Sequence, residues 1–142
     1  MTRISLCPDH SALEVAMDQW SEPFWRAGEN GKLIMPHCTA CGTFRWPPRA
    51  FCPECRASDV TWADPGKPSI YSFTVLPVPG ADKNAPPQWR VPVVVEFDSA
   101  PAVRLVSVLI DAPIDQVAIG QSLAVEWHSA ANTKVPVFRL AR

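Results

Sequence analysis

Six glycines in 142 residues, one tyrosine and three histidines leave little material for a phosphate-cradling loop, a nucleophile elbow or a metal-binding helix, and no such motif occurs. Long hydrophobic runs are also missing, and none approaches the roughly 18–20 residues that a membrane-spanning helix requires. The first nine residues lack a basic start followed by an apolar stretch, so a secretory signal is not expected. Neither charge sign is in excess, since 13 Lys and Arg face 14 Asp and Glu for a net charge of −1. A dedicated nucleic-acid binder is usually strongly basic, and this balance argues against one. A cytoplasmic location is the default expectation, and there cysteines stay reduced and tend to serve metals rather than disulfides.

The chain does have apolar residues in plenty, 47% of the total, together with 16 prolines, six tryptophans and five cysteines. Charge is unevenly spread. Residues 1–23 carry one basic and four acidic side chains, whereas residues 24–56 carry five basic and two acidic, net +3. Four of the five cysteines lie in that basic stretch as Cys38-Thr39-Ala40-Cys41-Gly42 and Cys52-Pro53-Glu54-Cys55. Two cysteines two residues apart can aim both sulfurs at one ion, with Gly42 supplying the permissive backbone after the second sulfur. Two facing knuckles complete a tetrahedral four-sulfur shell for structural zinc, with iron in a rubredoxin-like site as the alternative metal. Such a shell has no open position for activating water. Its role is to fold a segment too poor in apolar residues to fold alone. Arg45, Arg49 and Arg56 are placed to offset thiolate charge. Cys7 stands alone, with no evident partner in the sequence.

Around this segment, residues 11–27 read as short helices. Ser11 and Glu14 form a capping-box pattern with Leu13, Met17 and Trp20 at helical spacing; Ser21 is a second N-cap, Pro23 lies in the first turn, and Gly28 is the stop. From Lys67 onward the apolar period becomes two, predicting five strands near 69–76, 91–97, 103–110, 123–127 and 135–140. The first places Tyr71, Phe73 and Val75 on one face, and Pro136 marks the last as a strand start or edge. Residues 77–90, with Pro77, Pro79, Gly80, Pro86 and Pro87, read as a long loop carrying Trp89. The fold class is mainly β: an N-terminal helical segment (1–31), a zinc ribbon (32–62) and a five-stranded OB-fold barrel (63–142). No catalytic constellation is evident. Of the three histidines, His10, His37 and His128, His37 directly precedes Cys38 and could substitute or hydrogen-bond there, but four cysteines already fill the shell, and His128 with Glu126 reads as a solvated pair at a strand end.

Several segments together carry a family resemblance: Phe24-Trp25 before Leu33, the Cys-x2-Cys-Gly knuckle, Trp46-Pro47-Pro48-Arg49, Cys52-Pro53-Glu54-Cys55, Ile70-Tyr71-Ser72-Phe73-Thr74, Ile119-Gly120 and the closing Val135-Pro136-Val137-Phe138-Arg139. Over roughly residues 20–141 the chain resembles the acyl-CoA-associated OB-fold family with an N-terminal rubredoxin-like zinc ribbon, domain of unknown function thirty-five. Arg56 departs from it, because the family usually has Gly after the last ligand cysteine; Gly66-Lys67-Pro68 departs from its Gly-Lys-Gly. The resemblance implies a non-catalytic accessory subunit that bridges chains and helps channel a CoA-linked substrate. Its partner would be a thiolase-like enzyme, such as a sterol side-chain aldolase in lipid or steroid metabolism, or a hydratase of the hot-dog fold. On this reading Cys38, Cys41, Cys52 and Cys55 bind zinc, and Trp46, Arg49 and Trp89 are candidate contacts to the partner or to a CoA thioester. The competing role for Trp46 is to cover the knuckles, and for Arg49 to balance their charge. The competing function is a nucleic-acid-binding zinc-ribbon/OB-fold protein, supported by the basic ribbon and by Phe44, Trp46 and Trp89 as stacking platforms.

Overall fold

In the computed structural model, residues 3–79 and 84–142 are described, so Gly80 of the expected loop lies outside the described residues. Alternating apolar residues set the centre of the fold. Strand β5 (Gln88–Phe97) buries Val91, Val93, Val95 and Phe97, as the period of two requires. It hairpins through Asp98 and Ser99 into β6 (Ala100–Leu109), where Phe97 pairs with Ala100. On the other side β5 pairs antiparallel with β3 (Pro68–Phe73), and its first residues pair with the short β4 (Leu76–Val78). The strands β7 (Leu123–Ser129) and β8 (Lys134–Leu140) form the last hairpin, and β8 meets β6 in parallel at Leu109 and Phe138. The order β3-β5-β6-β8-β7 closes where β3 reaches the start of β7. There Ser69 bridges Ser122, and Ile70 donates its N–H to the Gln121 carbonyl at 2.9 Å while accepting from the Gly120 N–H at 2.8 Å. This strand order with a parallel third–fifth pairing is that of a five-stranded OB barrel, bearing out the expected class.

The structure corrects four local expectations. A register shift between Ile70 and Ser72 changes the phase of β3: Ile70 points into the core and Tyr71 turns outward, 47% exposed, while Phe73 and Val75 still pack inward. A bulge inserts one residue against its partner strand, so the face alternates differently before and after it. Residues 77–90 are not loop throughout, because Pro77 and Val78 pair with Trp89 and Gln88. Strand β8 is not an edge but lies between β6 and β7. Pro136 is tolerated there because the parallel pairing falls farther along the strand, and its carbonyl accepts from the Ser107 hydroxyl at 2.9 Å.

The N-terminal segment supplies the fourth correction. One α-helix forms, α1 (Glu22–Glu29), with Pro23 in its first turn. Residues 11–19 are not helical. Their backbone is drawn into tertiary bonds instead: Ala131 N–H donates to the Leu13 carbonyl at 2.8 Å, and the Asn132 amide both accepts from and donates to Val15 at 2.9 and 2.8 Å. Ser21 sits at the N-cap position but its hydroxyl makes no capping bond, accepting instead from the Asp18 N–H. Helix α1 runs one residue past Gly28 to Glu29, and the chain turns away at Gly31, just beyond the Asn30 cap, with a φ of +76° that glycine adopts readily. Gly28 has a packing role: a Cβ there would lie 2.2 Å from Trp127 of β7.

The ribbon hairpin, β1 (Met35–Cys38) with β2 (Val60–Ala63), contributes Met35, fully buried, to the same apolar cluster as the barrel strands. Phe24 of α1 is 1% exposed and wedges between Trp46 of the ribbon (ring centroids 4.8 Å) and Trp127 of the barrel (5.6 Å), with Trp25 edge-on at 4.9 Å. Burying a side chain of this size contributes about 1.5–3 kcal/mol, with aromatic pairing adding to it.

Candidate metal centre

The two Cys-x2-Cys segments fold into the same knuckle. In the first, Gly42 N–H donates to the Cys38 carbonyl and Cys38 N–H to the Thr43 carbonyl, both at 2.9 Å; in the second, Arg56 and Cys52 repeat the pattern with Cys52 and Ala57, again at 2.9 Å. The residue after each second cysteine takes a left-handed conformation, φ +79° at Gly42 and +64° at Arg56. The structure thus gives a physical reason for a glycine at that position and shows Arg56 adopting its conformation with a side chain attached.

This geometry brings the four sulfurs within 4.8 Å of one another, with Cys38–Cys55 at 3.6 Å and Cys41–Cys52 at 3.5 Å. Sulfurs about 2.3 Å from one central ion lie about 3.8 Å apart, so the donor set fits a tetrahedral metal. Cys38 and Cys52 are buried, whereas Cys41 and Cys55 reach the surface. Backbone amides tune the thiols: the Cys41 N–H holds Cys38 down at about 6, and the Cys55 N–H lowers Cys52. For Cys55 the Ala57 amide also lowers, but burial and the thiols of Cys38, Cys41 and Cys52 outweigh it and push Cys55 up to about 12. Four thiols this close resist ionising together until a cation joins them. The site is one for a structural metal.

Arg45 was expected to balance thiolate charge, and the structure gives it a further role. It is 1% exposed and donates to the backbone carbonyls of Arg49 (3.2 Å), Asp59 (3.2 Å) and Ala57 (3.5 Å). It thereby staples the inter-knuckle loop to the approach of β2. Arg49 is exposed, and its guanidinium donates to the carbonyls of Trp46 and Pro47, each at 3.4 Å. Trp46 is half-buried against Phe24 and the shared core, and Trp89 is half-buried with the Arg3 guanidinium 4.9 Å from its ring centroid. Trp46 and Arg49 therefore share one loop, while Trp89 lies on β5. An exposed patch of Trp20, Val60 and half-buried Trp62 adjoins Arg49, which the sequence reading missed because it combines two separate segments.

The sequence reading also missed a polar cluster on β7. His128 Nε2 lies 3.1 Å from Glu126 Oε1, and Cys7 Sγ lies 3.8 Å from His128 Nδ1. Arg139 bonds Glu126 and, at 2.5 Å, Asp111, and this guanidinium followed by His128 holds the Glu126 carboxyl below its ordinary value. Only the Glu126–His128 pair was visible as a pattern, since Cys7 arrives from 121 residues away.

Comparison with known proteins agrees with this geometry. Residues 25–61 match the family model described as "ChsH2, rubredoxin-like zinc ribbon domain". A curated relative from Thermomonospora curvata, described as "Probable enoyl-CoA hydratase alpha subunit", is 31% identical over 122 residues, which is 83% of this chain. The chain spans 37% of that relative's length. Among solved structures, one titled "Ltp2-ChsH2(DUF35) aldolase" matches with a TM-score of 0.74 and 28% identity, covering 91% of this chain and 100% of that one. A DUF35-family protein of unknown function from Sulfolobus solfataricus shares the fold, with a TM-score of 0.62 at 15% identity over 87% of this chain and 86% of that one. These matches bear out the family resemblance drawn from the sequence.

Proposed function

From a chain with a ChsH2-type rubredoxin-like zinc ribbon on a DUF35-type fold, we propose an accessory subunit of an acyl-CoA-processing enzyme whose catalytic residues come from a partner chain. The partner is of the thiolase/aldolase-like or hydratase class, in keeping with the names of the two relatives above. The observation that carries the reading is the metal centre itself. Four cysteines close the shell around the ion, so zinc there fixes the ribbon and performs no step. Cys38, Cys41, Cys52 and Cys55 are its ligands, and an N-terminal segment (1–31) that carries α1 precedes the ribbon (32–62) and the barrel (63–142).

Two surface features support the bridging and channelling parts of the proposal. A groove of about 890 Å³ runs between ribbon and barrel, walled by Leu33, Phe97 and Val125 and carrying Lys32 and Lys67. Apolar walls suit an acyl or pantetheine chain; Asp64 and Asp98 line the same groove and balance the two ammonium groups, so the support it gives is for the apolar part of the substrate. Arg49 beside Trp20, Val60 and Trp62 is an arginine-and-aromatic surface of the kind that anchors protein interfaces. Trp46 holds Arg49 through its backbone carbonyl, and Trp46 and Trp89 remain further candidate contacts.

Co-expression with the thiolase-like or hydratase partner followed by size-exclusion chromatography tests the assignment. We expect a stable complex, about one zinc per chain, and no acyl-CoA turnover by the isolated chain. Arg49→Ala should leave zinc content unchanged and weaken the complex by roughly 2 kcal/mol or more. Robust turnover by the chain alone, or stoichiometric iron in place of zinc, would contradict the corresponding part of the reading.

A further inference from the structure

Apart from the metal ligands, Cys7 stands beside a base. Its segment crosses the barrel under restraint: Ser5 is 2% exposed, Ser5 N–H donates to the Ala112 carbonyl at 2.9 Å, and Leu6 N–H donates to the Trp89 carbonyl at 2.6 Å. Farther along, Leu13 and Val15 are tied to Ala131 and Asn132 just beyond β7. The exposed thiol is thereby held over β7, with Sγ 3.8 Å from His128 Nδ1. The other ring nitrogen, Nε2, faces Glu126 Oε1 at 3.1 Å. An ionised carboxylate only accepts hydrogen bonds, so in the neutral ring Nε2 carries the proton and Nδ1 turns its lone pair toward the thiol. Arg139 bonds Glu126 in turn and is tied to Asp111 at 2.5 Å, which fixes the carboxylate.

Nucleophile, imidazole base and orienting carboxylate stand in the order used by acyl-transfer enzymes on unrelated folds. Burial, followed by the charge of Asp111, raises the Cys7 thiol above its ordinary value, so it rests protonated and needs a base to react. We propose that Cys7, with His128 as its base and Glu126 positioning the ring, accepts the acyl group of an acyl-CoA thioester. This inference rests on the acyl-CoA reading above. His128 Nδ1 takes the thiol proton as Sγ attacks the thioester carbonyl. The tetrahedral adduct then expels the CoA thiolate, which recovers that proton from the imidazolium. One carbon–sulfur bond forms and one breaks, with no change in oxidation state. The products are S-acyl-Cys7 and free CoA, one equivalent per chain, so acceptance requires no turnover by the isolated subunit.

The test incubates the full metal-loaded chain with acetyl-CoA and follows intact mass, peptide mapping and CoA release. One hydroxylamine-labile acetyl group should appear on Cys7 with one equivalent of CoA, and Cys7→Ala should abolish both. His128→Gln should slow acylation at least about tenfold, a general-base contribution at the low end of its usual range. Glu126→Ala should slow it as well, and Glu126→Gln, whose carbonyl still accepts from Nε2–H, should recover most of the rate. Iodoacetamide alkylation of the same proteins reports thiol activation without any thioester. If Cys7 alkylates and acetylates equally fast with and without His128, it is an ordinary exposed thiol and the proposal is overturned. If alkylation depends on His128 but neither acetyl-CoA nor a long-chain acyl-CoA leaves an adduct, the acyl-acceptor role is overturned. Complex formation with the partner, measured separately, shows whether the accessory-subunit reading itself stands.

Discussion

Among single residues, Arg56 carries the clearest cost. A side chain at φ +64° loses about 1–2 kcal/mol relative to the right-handed region, partly offset because glycine is more disordered when unfolded. Arg56→Gly should therefore stabilise the metal-loaded ribbon by up to about 1 kcal/mol, and Arg56→Val should destabilise it. Resistance to a graded chelator series checks both signs. Glu126 gives a pH-dependent counterpart. Its folded pKa is lowered by the Arg139 hydrogen bond and then by His128, so its contribution is present above about pH 4.5 and disappears as pH falls through the lowered folded value. Glu126 is 40% exposed, so solvent screening keeps the effect small. Glu126→Gln should lower stability near pH 7 by a small amount and leave it unchanged in acid, so that the acid limb of the stability curve flattens, as read by calorimetry across pH.

Among elements, α1 is where local reasoning and tertiary packing diverge. Gly28 reads as a helix stop in sequence, yet the helix includes it and ends at Glu29, and the position requires glycine because Trp127 occupies the space a Cβ would need. Gly28→Ala gains helix propensity of about 1 kcal/mol, but overpacking against an indole costs about 1–3 kcal/mol. The net expectation is a lower melting temperature with zinc content retained, measured by calorimetry and metal analysis. The same contrast marks what was legible elsewhere. The cysteine spacing specified the knuckles because the interactions involved are local. The alternation of β5 was equally plain because its own residues keep one phase, with Val91, Val93, Val95 and Phe97 all buried. The outward turn of Tyr71 was hidden, since a bulge leaves no mark in composition; its ring instead meets the Arg104 guanidinium at 4.1 Å. Residues 11–19 carry a helical pattern that the bonds to Ala131 and Asn132 override. Cys7 beside His128 and Trp20 beside Trp62 are juxtapositions of distant segments, and periodicity holds no information about them.

For the whole molecule, the ribbon and barrel share one core through Met35 while the ribbon's own hairpin depends on the knuckles. A strong chelator should therefore raise amide exchange through β1, β2 and the knuckles while leaving β5 and β6 protected. Cys38→Ser or Cys55→Ser should reproduce that pattern and lose metal together. Equal loss of protection in all strands would show instead that the barrel cannot stand without the metal.

Phe24 lies between an indole fixed by the ribbon and an indole fixed by the barrel, with a third edge-on. Rings this close and this rigid form an asymmetric array of chromophores. Their near-ultraviolet circular dichroism reports the angle between the two halves of the molecule without any added dye. Metal loss, or seating of a partner on the ribbon, would thus register as a change in band shape before any strand unfolds.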